Sequence, residues 1–241
     1  MIDPRLSIID ERLSGVNEII AVASGKGGVG KSIIASTLSL ILSRKDFRTG
    51  LLDLDFTNPS THIILGAEFA QPLEDKGIIP PKISGVEYVS MSFFTKGNPS
   101  PLRGGDITNA FIEILALTRW GDLDYLIIDT PPGMGDILLD LLRLIRRIKF
   151  LIISTPSKLS LETIKKLVEM LRASRAEIIG VIENMLGHHS ASIRSEIEKI
   201  GENYLGSIRL DPSIENSIGD PEKLLKTAFA KDLEEIVEKL I

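Results

Sequence analysis

The run Ser24-Gly25-Lys26-Gly27-Gly28-Val29-Gly30-Lys31-Ser32 constrains this chain more than any other stretch. It follows the apolar segment Ile19-Ile20-Ala21-Val22-Ala23 and leads into Ile33-Ile34-Ala35-Ser36-Thr37-Leu38-Ser39-Leu40, which reads as strand, glycine-rich turn, helix. Gly25, Gly30, Lys31 and Ser32 fit the template G-x-x-x-x-G-K-[ST]. Glycines let successive backbone N–H groups curl around a polyphosphate, because no Cβ blocks the approach. The helix that follows aims its positive end at the same place. On this reading Gly25, Lys26, Gly27, Gly28, Val29, Gly30, Lys31, Ser32 and Ile33 form a phosphate cradle. Lys31 reaches the β- and γ-phosphates of a nucleotide, and the Ser32 hydroxyl holds Mg²⁺.

Composition narrows what surrounds this loop. With 241 residues, 43% of them hydrophobic, the chain has enough apolar surface for one substantial α/β core, expected as a single domain over 1–241. A net charge of −5 gives no global electrostatic case for nucleic acid or an anionic membrane. There are no cysteines, so these residues supply no disulfide, thiol nucleophile or cysteine-ligated cluster. The N-terminal residues do not read as a signal peptide, and no apolar run reaches transmembrane length. A cytoplasmic protein is expected.

Taken in order, residues 1–17 form an N-terminal extension with a short helical pattern at Leu6, Ile8, Ile9 and Leu13. Strands are expected at Ile19–Ala23, Thr49–Leu54, Val86–Met91, Tyr125–Ile128, Phe150–Ser154, Ile178–Ile182 and Tyr204–Ile208. Helices alternate with them: from the phosphate loop to about Ser43, up to Thr118, over Ile137–Ile148, Leu159–Arg172 and Ala191–Ile200, with a last one over Glu222–Leu240. The expected fold is a three-layer αβα arrangement, a mostly parallel twisted sheet with helices on both faces, because the strands are continuous apolar runs separated by helices. Ligand groups then gather beyond the carboxyl ends of the strands.

Several polar residues stand at such ends. Asp129 closes an apolar strand and suits the acidic partner of Mg²⁺, held directly or through water. The Pro131-Pro132-Gly133 turn after it suits a segment that senses the γ-phosphate. Asp55, just past another strand end, is placed to orient or deprotonate an attacking water, or to share Mg²⁺. Asp53, two residues earlier, is expected to point the same way along the strand, in a supporting or structural part. Lys26 is a second lysine inside the glycine run. Its backbone is bound to curve around phosphate, so its side chain projects away, where it could meet a phosphate held by another subunit.

The loop Lys26-Gly27-Gly28-Val29-Gly30-Lys31-Ser32 resembles the deviant phosphate loop of the MinD/ParA group, and within that group the chain is similar to the Mrp/ApbC-type ATPases, which are iron–sulfur cluster carriers. The residues that carry the likeness are Asp53-Leu54-Asp55 with Pro59-Ser60, Arg103-Gly104, Trp120 through Gly133, Gly180-Val181-Ile182-Glu183-Asn184-Met185, Leu205-Gly206-Ser207-Ile208, and Leu210-Asp211-Pro212. The resemblance implies an ATP-binding protein and slow Mg²⁺-dependent ATPase that forms a homodimer on ATP. It makes Lys26 the signature lysine acting across the dimer, Asp55 the hydrolytic aspartate and Asp129 the metal-associated one. Asn184 would recognise adenine, with backbone near Pro212 lining the base pocket. An amide suits that task because it offers a donor and an acceptor.

Three departures stand out. The family usually carries a C-x-x-C pair where this chain has Leu186-Gly187-His188-His189-Ser190-Ala191-Ser192, so a cluster bridged by cysteines of these residues is excluded. His188 and His189 read as part of a surface loop, since adjacent residues rarely chelate one ion together. Ile33 replaces a hydroxyl that helps the α-phosphate, and Asn58 replaces a glycine before Pro59-Ser60. Partners implied are a second copy of the chain and an iron–sulfur maturation client. Other readings are a MinD/ParA-like positioning or partitioning switch and a non-hydrolysing ATP-binding adaptor. A membrane-binding tail is disfavoured by the mixed charge of residues 222–241, which favours a helix packed on the domain. A DNA-binding patch has only Arg143, Arg146, Arg147 and Lys149 in its support.

Overall fold

Isoleucine, leucine and valine runs with no polar interruption become strands buried on both faces, and this chain has a series of them. The computed structural model describes residues 5–56, 58–67, 69–95, 105–187 and 189–239. Arg103, Gly104 and His188, named above, lie outside the described residues. In chain order the elements are α1 (Arg5–Leu13), β1 (Val16–Ala23), α2 (Lys31–Arg44), β2 (Thr49–Asp53), α3 (Thr61–Ile64), β3 (Leu73–Glu74), β4 (Ile78–Ile79), β5 (Lys82–Ile83), β6 (Val86–Ser90), α4 (Ser92–Thr95) and α5 (Gly105–Leu117). They continue with β7 (Leu123–Asp129), α6 (Asp136–Leu144), β8 (Ile148–Ser154), α7 (Lys158–Ala173), β9 (Glu177–Leu186), α8 (Arg194–Lys199), β10 (Tyr204–Arg209), a 3₁₀ turn (Pro212–Ser217), α9 (Pro221–Leu224) and α10 (Ala228–Val237).

One sheet runs β10-β9-β8-β1-β7-β2-β6-β5. Its pairs are parallel except the β5–β6 edge. Two apolar layers cover it. On one face Ile19, Ala21, Leu126, Ile128, Phe150 and Ile152 pack with α1, α5, α6 and α7. On the other, Ile20, Val22, Leu51, Ile127, Leu151 and Ile153 pack with α2, α9 and α10. The alternation along β1 and β7 is the two-residue period of a strand with helices on both sides. The expected αβα architecture is therefore what the chain adopts.

Several boundaries differ from those expected; β1, for one, starts at Val16 rather than Ile19, inside the stretch expected as an extension. The helix placed over Ile137–Ile148 stops at Leu144, where Ile145 turns to an extended backbone and Ile148 already starts β8. Arg146 and Arg147 stand between the two elements, and the apolar residues on either side, Leu144-Ile145 and Ile148, do not by themselves mark the change of backbone. The strand placed over Ile178–Ile182 runs on to Leu186, so Glu183 and Asn184 lie inside β9 rather than in a turn after it. The stretch expected as one last helix is not one: residues 222–239 are interrupted. The chain breaks after Leu224, and Thr227 restarts it by accepting a hydrogen bond from the Ala230 N–H at 3.1 Å. Phe229, Leu233, Ile236 and Val237 are buried against the domain. No helix among the described residues is long and apolar enough to cross a membrane.

Candidate nucleotide site

The carboxyl ends of β1, β2 and β7 meet at the middle of the sheet, and the loops that leave them build one cleft. Its walls come from Ser24, Lys26 through Ile33, Asp55, Asn58, Ser60, Ile64 and Pro132, around a volume of about 430 Å³. Gly30 ends the glycine run with φ +84° and serves as N-cap of α2 without any side-chain cap hydrogen bond. The first-turn N–H groups of this helix are thus left for a ligand. Gly28 also has positive φ, and a Cβ there would meet nothing within 4 Å, so the backbone is open to the cleft. A Cβ on Gly30 would collide with Asn184 Nδ2, and one on Gly25 would lie 2.6 Å from the Thr163 side chain of α7. The loop is therefore seated between α7 and β9, which explains its glycines by contact as well as by backbone angle.

Lys31 and Asp129 form the charged floor. Lys31 Nζ lies 3.3 Å from Asp129 Oδ1, with both side chains buried. Burial pushes the Asp129 carboxyl up, and Lys31 and the Ser32 hydroxyl hold it down. Asp129 Oδ2 is buried and has no hydrogen-bond partner among the described residues. An orphaned carboxylate oxygen beside a serine hydroxyl at a phosphate loop fits Mg²⁺, which keeps its waters and takes few protein ligands. Among the described residues no three His, Cys, Asp or Glu side chains converge as a protein-only metal cage.

Asp53 and Asp55 occupy different surroundings, contrary to the expectation that they point the same way. β2 ends at Asp53, so the alternation of a strand no longer relates the two. Asp55 is on the cleft wall, while Asp53 is wholly buried. Asp53 stands beside Asp129 in the parallel register of β2 and β7. Burial and that neighbouring charge push its carboxyl up, while the hydrogen bonds from Thr61 and Asp55 hold it down. It accepts hydrogen bonds from the Asp55 N–H at 3.0 Å and from the Thr61 N–H and hydroxyl at 3.3 and 2.5 Å. Thr61 carries no signal in the sequence; a threonine opening a one-turn helix is unremarkable until its partner is seen.

The remaining residues divide. Lys26 is half-buried on the cleft wall, with its carbonyl oxygen accepting from the Ser24 hydroxyl at 2.8 Å. The Gly133 N–H reaches the Ser24 carbonyl at 3.1 Å, tying the Pro131-Pro132-Gly133 turn to the phosphate loop. Asn184 is buried and its Nδ2 donates to the Val29 carbonyl at 2.9 Å. Beside it on β9, Glu183 faces the other side of the sheet, accepting from Ser192, Tyr204 and the Ile193 N–H at 2.6, 2.8 and 2.9 Å. Pro212 is exposed at the start of the 3₁₀ turn, off the cleft wall. Of the basic cluster, Arg147 donates to the Leu13 carbonyl at 3.0 Å and Lys149 pairs with Glu18 and Glu177 at 2.9 and 3.4 Å. Those two cations serve the fold.

Comparison with known proteins follows the same lines. A family model described as NUBPL iron-transfer P-loop NTPase matches residues 15–241. The iron-sulfur cluster carrier protein of Pseudomonas fragi is 43% identical over 180 residues, taking in 73% of this chain and 63% of that protein. The chain thus spans less than two thirds of the length of this relative. Among solved structures, a nucleotide-binding protein of Archaeoglobus fulgidus in complex with ADP superposes with a TM-score of 0.75 at 28% identity, covering 97% of this chain and 93% of the other. The cell division ATPase MinD of Pyrococcus furiosus shares the fold, with a TM-score of 0.70 at 20% identity, covering 93% of this chain and 100% of the other.

Proposed function

The chain belongs to the NUBPL iron-transfer P-loop NTPase family, and we propose that it is a Mg²⁺-dependent, slow ATPase that pairs on ATP and uses hydrolysis to release an iron–sulfur maturation client. The observation that carries this reading is the buried Lys31–Asp129 pair beneath an uncapped helix start, with one Asp129 oxygen still unpartnered among the described residues. A lone structural ion pair needs no open glycine loop above it. A nucleotide triphosphate with its metal uses all three features.

In this reading the N–H groups of Gly27 to Ser32 hold the phosphates, and Lys31 moves part of its charge from Asp129 to the β- and γ-oxygens. Ser32 would hold Mg²⁺, with Asp129 and Asp55 as its further partners through water. The metal supplies charge neutralisation on the γ-phosphate when bound. Asp55 orients the attacking water. Lys26, half-buried on the wall, serves the nucleotide of the partner copy. Asn184 braces the loop through Val29 and keeps a second Nδ2 hydrogen and Oδ1 for adenine; the base would extend beyond the phosphate cleft, toward the backbone near Pro212 that lies off its wall. The P. fragi relative is an iron-sulfur cluster carrier, and that role supports a client from the same chemistry. These residues hold no cysteine, so a cluster would have to be ligated by the client or by a partner.

The test is ATP turnover by wild type, Lys31→Ala and Asp55→Ala, with oligomeric state measured in ADP and in a non-hydrolysable ATP analogue. Turnover in wild type alone and pairing in the analogue alone support the reading. Equal turnover in all three proteins overturns it.

A further inference from the structure

We infer that Asp53 is a positioning residue for the nucleotide reaction: one buried carboxylate fastens both ends of the 55–61 segment and so fixes where Asp55 faces the phosphates. The inference rests on the hydrolytic reading above. Asp53 does not itself line the cleft and reaches it only through the Asp55 backbone, so it is not itself a catalytic group. Its Oδ1 accepts from the Asp55 N–H at 3.0 Å, at the start of the segment. Its Oδ2 accepts from the N–H and hydroxyl of Thr61, at the segment's end. Between these ties the chain carries Asp55, Asn58 and Ser60 to the cleft.

The anchor is itself held from a third direction. Ser90 Oγ of β6 donates to Asp53 Oδ2 at 3.4 Å, and Tyr88 OH of the same strand lies 2.8 Å from Thr61 Oγ1. Inside the segment the Asn58 N–H closes on Asp55 Oδ1 at 3.0 Å. The result is a segment cross-tied at its base, with its reactive carboxylate two residues beyond the strand.

A carboxylate has acceptor sites on both oxygens, and an amide of the same shape has them on one. Asp53→Asn therefore serves one end of the segment and sets N–H groups against donors at the other. The freed end lets Asp55 drift, and a displacement of about 1 Å in such a group costs about 100-fold in rate. Nucleotide binding runs mainly through residues 24–33, which Asp53 does not bond.

The experiment compares wild type, Asp53→Asn and Thr61→Val by steady-state ATP turnover, ADP titration calorimetry and amide hydrogen exchange. Asp53→Asn is expected to lower kcat about 100-fold while KM and ADP affinity stay within about threefold. Exchange at Thr61 rises about tenfold or more, and exchange at Leu51 and Leu52 of β2 stays at the wild-type rate. Thr61→Val keeps the shape and the N–H but loses the hydroxyl, and is expected to lower kcat about tenfold; it carries the test should Asp53→Asn not fold. Turnover within threefold of wild type, or exchange rising equally at Leu51 and Leu52, overturns the inference. A wild type without turnover sinks the hydrolytic reading instead, and exchange at Thr61 then decides the anchor by itself.

Discussion

Asn184 Nδ2 donates to the Val29 carbonyl at 2.9 Å, joining residues 155 positions apart in the chain. The bond holds the middle of the phosphate loop against β9. Asn184→Ala leaves that carbonyl without its buried partner, at a cost of about 1–3 kcal/mol in stability. ADP affinity should fall about tenfold or more, since the loop is no longer set before the ligand arrives. Calorimetric titration with ADP and GDP checks this. A larger loss for ADP than for GDP is expected, because the amide also has groups to spare for adenine.

Lys31 is the cation that pairs with Asp129 in the interior of the site. Lys31→Met leaves a buried carboxylate uncompensated, and should cost about 3 kcal/mol at neutral pH, near the low end for one broken partner because Asp129 relieves the strain by binding a proton. Adding Asp129→Asn should restore part of that loss. Denaturant unfolding of both single variants and the double variant checks the coupling.

Lys26→Ala should separate pairing from binding. ADP affinity is expected within about threefold of wild type, since the backbone N–H groups remain, whereas the dimer formed in a non-hydrolysable ATP analogue is lost. Sedimentation in each nucleotide reads both. A Lys26→Ala protein that still pairs in the analogue removes the cross-subunit part assigned to this lysine.

Asp211, which does not line the phosphate cleft, provides a pH dependence of its own. It accepts from the Ser213 hydroxyl and N–H at 2.6 and 2.9 Å and from the Phe229 N–H at 3.1 Å, joining the 3₁₀ turn to α10. The Ser213 hydroxyl, followed by the backbone N–H groups, holds its carboxyl below the ordinary 3.8. The unfolded chain therefore binds this proton more readily than the folded one. The stability it brings is complete above the ordinary value and drains away as the pH falls through the depressed one. The stability gap between wild type and Asp211→Asn should accordingly be flat from pH 6 to 8 and shrink below about pH 4. Thermal unfolding across that range checks it.

The features legible in the sequence are local ones. The phosphate loop announces itself because glycine, lysine and serine at fixed spacing follow an apolar strand, and the sheet because its strands are unbroken apolar runs. The contacts that set the site in place are silent in the sequence for the opposite reason. Thr163 against Gly25, Asn184 against Val29, and Thr61 on Asp53 each depend on a partner brought up by the fold. Thr61 lies only eight residues from Asp53, yet nothing in Pro59-Ser60-Thr61 predicts that the chain doubles back. The break at Thr227 is hidden by an apolar pattern that continues through it at Leu224, Leu225 and Phe229. Only the cap geometry reveals it.

Glu183 and Asn184 are neighbours on β9 with opposite commitments: one faces Ser192 and Ile193, the other the phosphate loop. A strand alternates its faces residue by residue, so the two duties are locked in phase. One inserted residue ahead of Glu183 would turn both side chains over at once, offering a carboxylate to the Val29 carbonyl and an amide to Ser192 and Tyr204. The same insertion at the exposed residues around Ala191 would leave both pairings intact. Length variation can therefore accumulate on one side of Leu186 and is barred on the other, a limit imposed by the pleat itself and indifferent to which nucleotide or client the protein serves.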